Sequence, residues 1–531
     1  MVLKDIASGF APPVKTTGKT AVTARPLPSL RPRCLGLICI TSMFAFAASA
    51  LAAEEGACSV LKSASFSQTR VESAVTVAAD AGAALPSFCE VHATITPVEQ
   101  SNIGVVYRLP EGWNGKMLGL GGGGWAGNVQ LNSAAPGLKA GYATAQTDTG
   151  HPIPKQFADF WRPDLWSANP QAVTDFQYRA IHLMTTVGKE VVAKFYGRPH
   201  TKAYFHGCST GGRQGLMEVQ RYPKDYDGVV SMAPVYNLTV QTSAVVRDNV
   251  LGRSGVPLSG AQLKKINEAV LKSCDARDGL SDGLLADPRQ CSWDPAEMQC
   301  AAGEPGDACL TTAQADSLRW LYRGVQTKDG QFVAWPLSRG GEAGWARFIG
   351  LSGYASDATQ GGGLGRLVGP VLGDPAFDLA RFEPDKHFKT VRSSAFAKAY
   401  EAGDADIGDF IERGGKLLLW HGWNDPGPSP WLTIDYFERV VKQVSNADTN
   451  VRLFLSPGVE HCGGGPGLDQ LDALGALDAW VQTGKAPALL LTTKDKPKMS
   501  RPICAYPELP RYKGGDASVA ASFECNNKVT R

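Results

Sequence analysis

The stretch Ala203-Tyr-Phe-His-Gly-Cys-Ser-Thr-Gly-Gly212 decides the fold of this chain. Its strand-like residues run into a Gly-x-Ser-x-Gly pentapeptide, Gly207 to Gly211, and a helix-like segment follows. A strand that reverses sharply into a helix holds a serine hydroxyl clear of the backbone, and small neighbours make room for the turn. Gly211, Gly212 and Gly215 permit close helix-to-sheet contact, while Leu216 and Val219 recur at helical spacing before Pro223 ends the segment. In a chain with 59 glycines the pentapeptide alone is a loose pattern; its flanks make Ser209 a candidate nucleophile.

Working upstream, Ile103-Leu109 and Lys116-Leu120 read as early strands, and the second runs into Gly121-Gly-Gly-Gly-Trp-Ala-Gly127. So few β-carbons let that backbone approach a ligand, or leave it a plain surface loop. A serine nucleophile needs an oxyanion hole, made by the N–H after the serine and one from such a loop; Thr210 and Gly122 fit those positions. Phe176, Ala180, Met184, Val187, Val191 and Phe195 predict an amphipathic helix ending at Gly197. Downstream, Lys416-Trp420 leads into His421-Gly-Trp-Asn-Asp425, and Val451-Leu455 into Ser456-Pro-Gly-Val-Glu-His461. The alternation argues for a mostly parallel sheet with helices on both faces, and the order Ser209, Asp425, His461 is the order of a catalytic triad on an α/β-hydrolase core. His206, His421 and His151 are rival bases, or simply hydrogen-bonded histidines near strand ends.

Composition narrows the class. The 531 residues suffice for a large core with an insertion, and a net charge of +2 gives no reason to expect nucleic acid or an acidic membrane as partner. After Arg31-Pro-Arg33 comes the apolar run Cys34-Ala48, then Ala50-Leu-Ala52, an A-x-A type cleavage site. This predicts a signal peptide, a mature chain starting near Ala53 or Glu54, and a secreted or periplasmic protein; an uncleaved anchor is the alternative. The residues ahead of that run exceed a usual basic leader, which places the working start downstream of Met1. Of twelve cysteines, Cys34 and Cys39 leave with the leader, and an even set of ten remains for an oxidising compartment. Connectivity stays open, although Cys274 with Cys291, Cys300 with Cys309, and Cys504 with Cys525 bracket short polar loops. The absence of any Cys-x-x-Cys argues against zinc thiolates.

From about residue 238 to 402 the strand rhythm is lost, which predicts a lid inserted into the core. The boundaries expected are 1–53 for extension and signal, 54–237 for the first part of the core, 238–402 for the lid, and 403–531 for the second part with a disulfide-closed tail. Within the lid, Asp275, Asp278 and Asp282 share one turn-rich loop, as in a calcium site or a solvated acidic turn.

Cys208-Ser209, Asp425 and His461-Cys462 resemble the Cys-Ser, Asp, His-Cys arrangement of the tannase and feruloyl esterase family. The resemblance runs from about Cys58 to Cys525 and includes the Gly121 to Gly127 loop, Tyr226-Pro234, His461-Gly467 and the tail from Arg501 to Cys525. It implies a Cys208 to Cys462 disulfide beside the triad. It also implies a structural Ca²⁺ held by the side chains of Asp275, Asp278 and Asp282 and the carbonyls of Leu280 and Leu284. The activity implied is a serine carboxylesterase acting on aromatic acid esters, feruloyl esters first, with gallate esters and mono(2-hydroxyethyl) terephthalate as alternatives. A serine peptidase and an inert binding protein are the readings of another class. Arg366, in Gly363-Leu-Gly-Arg-Leu-Val-Gly369, is either a fork for a substrate carboxylate or an ordinary surface arginine. Oligomeric state is not legible.

Overall fold

Short apolar runs separated by glycine-rich turns lay down one nine-stranded sheet. Its strands are β1 (Thr69–Val77), β2 (Phe88–Ile95), β3 (Ile103–Pro110), β4 (Lys116–Leu120), β5 (Ala143–Thr147), β6 (Lys202–Cys208), β7 (Gly228–Met232), β8 (Lys416–Gly422) and β9 (Val451–Ser456). They lie in the order β1-β2-β3-β5-β4-β6-β7-β8-β9 in the structure, a computed structural model describing residues 58–153, 167–253, 258–301, 309–347 and 365–528. The β1/β2, β2/β3 and β3/β5 pairs are antiparallel; every later pair is parallel. The expected run of parallel strands is therefore present, joined to an antiparallel edge not foreseen from the sequence. β1 alternates half-buried with exposed residues along most of its length, as suits an edge strand solvated on one face.

The central strands are buried on both faces, and their apolar runs explain why. Leu417 and Leu419 join one core cluster with Tyr107, Phe205, Val229 and Leu453, while Leu418 and Trp420 join another with Tyr204, Val230, Phe454 and Trp480. Alternate side chains of a strand point to opposite faces, so helices must cover both. Helix α1 (Ala180–Tyr196) covers the first face through Met184, Val187 and Val191, and ends on Gly197 at φ 67°. A π-helical turn, Asp175–Arg179, precedes it, so Phe176 is buried from a wider turn than the regular spacing predicts.

Register collects the functional edge. Leu120 pairs with His206, Cys208 with Met232, Met232 with Trp420, and Gly422 with Ser456, which brings the carboxyl ends of β4, β6, β7, β8 and β9 along one side of the sheet. Between β7 and β8 the chain leaves the sheet and builds helices including α2 (Thr239–Arg253) and Gly260–Cys274. This insertion has its own apolar cluster of Leu263, Ile266, Val270, Trp293, Leu318 and Trp345. Disulfides join Cys58–Cys89, Cys208–Cys462, Cys274–Cys291, Cys300–Cys309 and Cys504–Cys525. The expected signal segment, from Arg31 to Ala52, lies outside the described residues. No helix among those described is long and apolar enough to cross a membrane.

Candidate active site

Ser209 sits where β6 turns into the helix Thr210–Arg221, at φ 62° and ψ −121°. A serine held at positive φ is strained, and the neighbouring hydrogen bonds hold it there: its N–H donates to Met232 O at 2.9 Å, and its carbonyl accepts from Arg213 N at 3.0 Å. Close backbone approach is what the glycines supply. A β-carbon on Gly207 would lie 2.5 Å from Gly211, and one on Gly121 would also lie 2.5 Å from Gly211. The serine turn and the glycine loop thus stack backbone on backbone, joined by Gly211 N–H to Gly122 O at 3.0 Å. Arg213, fully buried on the same helix, donates to the carbonyls of Phe176, Gln177 and Tyr400, fastening the serine helix to the π turn and to the insertion.

Asp425 and His461 follow β8 and β9. His461 Nδ1 lies 2.6 Å from Asp425 Oδ2, and Gly427 N–H donates to Asp425 Oδ1 at 2.8 Å. His421 Nε2 approaches Asp425 Oδ2 at 3.1 Å from the buried side, and Pro428 O at the same distance. Both of those partners are acceptors, so Nε2 carries the proton and Nδ1 accepts from Thr433 Oγ1 at 2.7 Å. Burial disfavours a charged Asp425, but the electrostatic pull of the His461 and His421 rings and the hydrogen bonds they donate outweigh it and hold the carboxyl down at about 2. The Cys208–Cys462 bridge, with Cα atoms 6.0 Å apart, makes the residues next to it, Ser209 and His461, neighbours despite a separation of 254 residues between the cysteines.

The rival histidines fall elsewhere. His421 is the second clamp on Asp425, with no surface exposure. His206 is pushed down to about 4 by desolvation, and so is His151, whose ring lies 3.2 Å from Thr149 Oγ1. Of the two expected oxyanion donors, Thr210 is buried at the first position of its helix, and its hydroxyl donates to Gly124 O at 2.5 Å. The Gly122 N–H donates to Gln214 Oε1 at 2.9 Å, which takes it away from a substrate oxygen in this state. Gln214 was not singled out in the sequence, although its place five residues after Ser209 puts it on the serine helix. Arg247 was missed too: from α2 it donates to the carbonyls of Pro426 and Gly427, each at 2.9 Å, and so anchors the rim behind Asp425. Arg366 is half-buried in the short turn Gly365–Leu367, whose Leu367 packs in one cluster with Trp125 of the glycine loop.

The aspartate loop is separately built. Asp275 Oδ2 accepts from Gly283 N, Asp278 from Leu280 N and Ala286 N, and Asp282 Oδ1 from Leu284 N. Burial raises Asp278 to about 6; the two amide hydrogen bonds oppose that shift, and the charges of Asp282 and Asp275 add to it. Asp275 Oδ1 is buried with no partner, and both features suit a hard cation. In the other direction, Asp282 Oδ2 forms an ion pair with Arg501, and the three carboxylates do not close into a set lying within 4.8 Å of one another. The donors are of the right kind for calcium, in a cradle wider than a bound ion would leave it.

The mostly parallel sheet, the serine at a strained strand-to-helix turn and the Asp–His pair at the ends of later strands define an α/β hydrolase. The chain belongs to the tannase and feruloyl esterase family, whose model, "Tannase and feruloyl esterase", matches residues 89–526, and it is a carboxylic ester hydrolase. Among its relatives, a mono(2-hydroxyethyl) terephthalate hydrolase of Piscinibacter sakaiensis is 33% identical, over 83% of this chain and 85% of that one. A probable feruloyl esterase of Arthroderma benhamiae is 32% identical, over 82% and 85%. The crystal structure of feruloyl esterase B from Aspergillus oryzae superposes with a TM-score of 0.77 at 26% identity, covering 89% of this chain and all of that one. A tannin acyl hydrolase from Aspergillus niger, at 21% identity and TM-score 0.72, shares the fold.

Proposed function

We propose that the protein is a secreted serine carboxylesterase that cleaves esters of small aromatic acids, feruloyl esters foremost, through an acyl-enzyme. The observation that carries the reading is the Asp425–His461 hydrogen bond, tied to the serine turn by the Cys208–Cys462 bridge. Ser209 Oγ attacks the ester carbonyl while His461 Nε2 takes its proton; the tetrahedral oxyanion collapses, the alcohol leaves with that proton, and the acyl group stays on Oγ. Water then repeats the sequence, releasing the aromatic acid and restoring Ser209. Asp425 holds the Nδ1–H tautomer of His461 and stabilises the imidazolium. Thr210 N–H is one oxyanion donor. Gly122 supplies the second if a bound ester draws its N–H from Gln214; otherwise Gly123, the next residue of the loop, takes that place.

The relatives' names supply the candidate acyl groups, all aromatic. Arg366 serves a substrate carboxylate only if terephthalate monoesters are turned over. Calcium, held by Asp275, Asp278 and Asp282 with the carbonyls of Leu280 and Leu284, would neutralise the loop and stabilise the lid; no step of the reaction passes through it. The five disulfides agree with an exported protein. Hydrolysis of methyl ferulate, methyl gallate and mono(2-hydroxyethyl) terephthalate by the oxidised protein, with Ser209→Ala alongside, tests the proposal. Turnover of at least one that disappears in the variant is expected, and their ranking identifies the acyl pocket. Inactivity on all three removes the aromatic esterase reading.

A further inference from the structure

Three metal-competent side chains from different elements meet at the far end of the serine helix. His182 stands on α1, Glu218 in the last turn of the Thr210–Arg221 helix, and Asp225 in the turn before β7. One ligand atom from each lies within 4.8 Å of the others, the only such grouping of three or more His, Cys, Asp or Glu among the described residues. Glu218 is 1% exposed, and no donor reaches either of its carboxylate oxygens. The polar group facing it is another acceptor, Asp225, and burial first, then that neighbour, push its pKa far up. Lys189 is the nearby cation, but its ammonium donates to the backbone carbonyl of Asp225 at 2.5 Å rather than to a carboxylate.

The remaining member is held ready. His182 Nδ1 lies 2.6 Å from Asp225 Oδ2, and the Tyr222 ring stacks on the imidazole at 3.9 Å and 7°. The His182 side chain is 29% exposed, which opens the cluster to solvent from one side. A buried carboxylate without donors is costly unless it is protonated or meets a cation.

We propose that His182, Glu218 and Asp225 form a site for a divalent transition-metal ion, zinc by the chemistry of the donors, separate from Ser209 and from the aspartate loop. One imidazole and two carboxylates make a zinc ligand set, and the imidazole disfavours calcium and magnesium. Water entering past His182 completes the coordination. Nine residues of helix, about 13 Å at ~1.5 Å per residue, separate Glu218 from Ser209. The ion is therefore structural: it cross-links the end of the serine helix to α1 and to the turn before β7.

The test is calorimetric titration of the full-length, chelator-dialysed protein with ZnCl₂ in calcium-free buffer, with CoCl₂ absorption as a second readout. One zinc per chain is expected, with a rise in the thermal midpoint. Glu218→Gln and His182→Gln should each weaken binding by about 100-fold or more, while Asp278→Asn leaves it unchanged. Glu218→Gln keeps the shape and gives Asp225 an amide donor, so a gain in its metal-free stability with no zinc binding by the parent protein would show a proton-sharing carboxyl pair and overturn the site. Zinc bound with equal affinity by parent and both variants would overturn it as well. If either variant fails to fold, the cobalt spectrum of the parent protein decides: ligand-field bands of a four- or five-coordinate site support the assignment, and the weak spectrum of aqueous cobalt contradicts it.

Discussion

The triad corner and the aspartate loop are each tied by a disulfide, and they differ in what the bridge joins. Cys208–Cys462 spans 254 residues and links the end of β6 to the loop after β9; Cys274–Cys291 spans 17 and closes a single acidic turn. At the triad, Asp425 is buried and each of its oxygens is engaged: His461 and His421 share one, and the Gly427 amide takes the other. In the loop, the carboxylates accept backbone N–H groups from within ten residues, and Asp275 keeps one buried oxygen without a partner. The His461 bond and the Cys208–Cys462 bridge thus tie the triad corner across distant segments, whereas the loop is shaped chiefly by its own amides, with one outside tie from Asp282 to Arg501. Chemistry should be brittle in the first region, and stability tunable in the second.

The sharpest test of that contrast is Ser209→Ala, expected to lower kcat/KM by about 10⁴-fold or more with little change in thermal midpoint. Asp425→Asn should cost about 10³- to 10⁴-fold, while His421→Gln should cost roughly 10-fold because His461 still holds the carboxylate. Equal losses from the two, measured by steady-state kinetics, would remove the distinction between the catalytic partner and the second clamp. Opening the long bridge with the paired substitutions Cys208→Ala and Cys462→Ala should lower kcat by roughly 10- to 100-fold through misplacement of serine against base. The pair Cys274→Ala and Cys291→Ala should spare kcat at low temperature and lower the thermal midpoint.

Smaller effects belong to the insertion. Calcium at a hundredfold excess over its dissociation constant should stabilise the protein by about 3 kcal/mol; a chelator should reverse this, and Asp278→Asn should make the melt indifferent to both. Glu342, buried in the insertion with Tyr322 Oη at 2.7 Å, is raised to about 7 chiefly by desolvation. A carboxyl raised on folding contributes stability that is complete below its unfolded pKa and is lost as pH rises through the folded value. Between about pH 5 and pH 7 the stability should therefore fall by a total of about 2 kcal/mol from this group, a loss that Glu342→Gln removes when melts are followed across that range.

Legibility followed the same divide. The parallel strands could be read because burial on both faces writes an unbroken apolar run, as in Leu417-Leu418-Leu419, and Ser209, Asp425 and His461 stood out as a candidate triad because they follow such strands. The edge strand β1 and its neighbour β2 escaped: β1, Thr69–Val77, shows only the weak alternation of a half-solvated ribbon. The second clamp was visible as a histidine but not as a clamp, since His421 meets Thr433 and Pro428 only once the chain after β8 has curled back over it. Gln214 and Arg247 act through backbone groups of other elements, Gly122 and Pro426–Gly427, and no local pattern reports such contacts. The aspartate loop was legible as a motif because the amides its carboxylates accept from are local, whereas the Asp282–Arg501 ion pair leaves no trace in the local pattern.

Intact-mass spectrometry of the oxidised protein, quenched during turnover of an activated feruloyl ester, tests the central claim most directly. The account predicts a transient mass gain of one feruloyl group that maps to the peptide containing Ser209 and is absent from Ser209→Ala. Full turnover in Ser209→Ala, or an adduct on another residue, would contradict it.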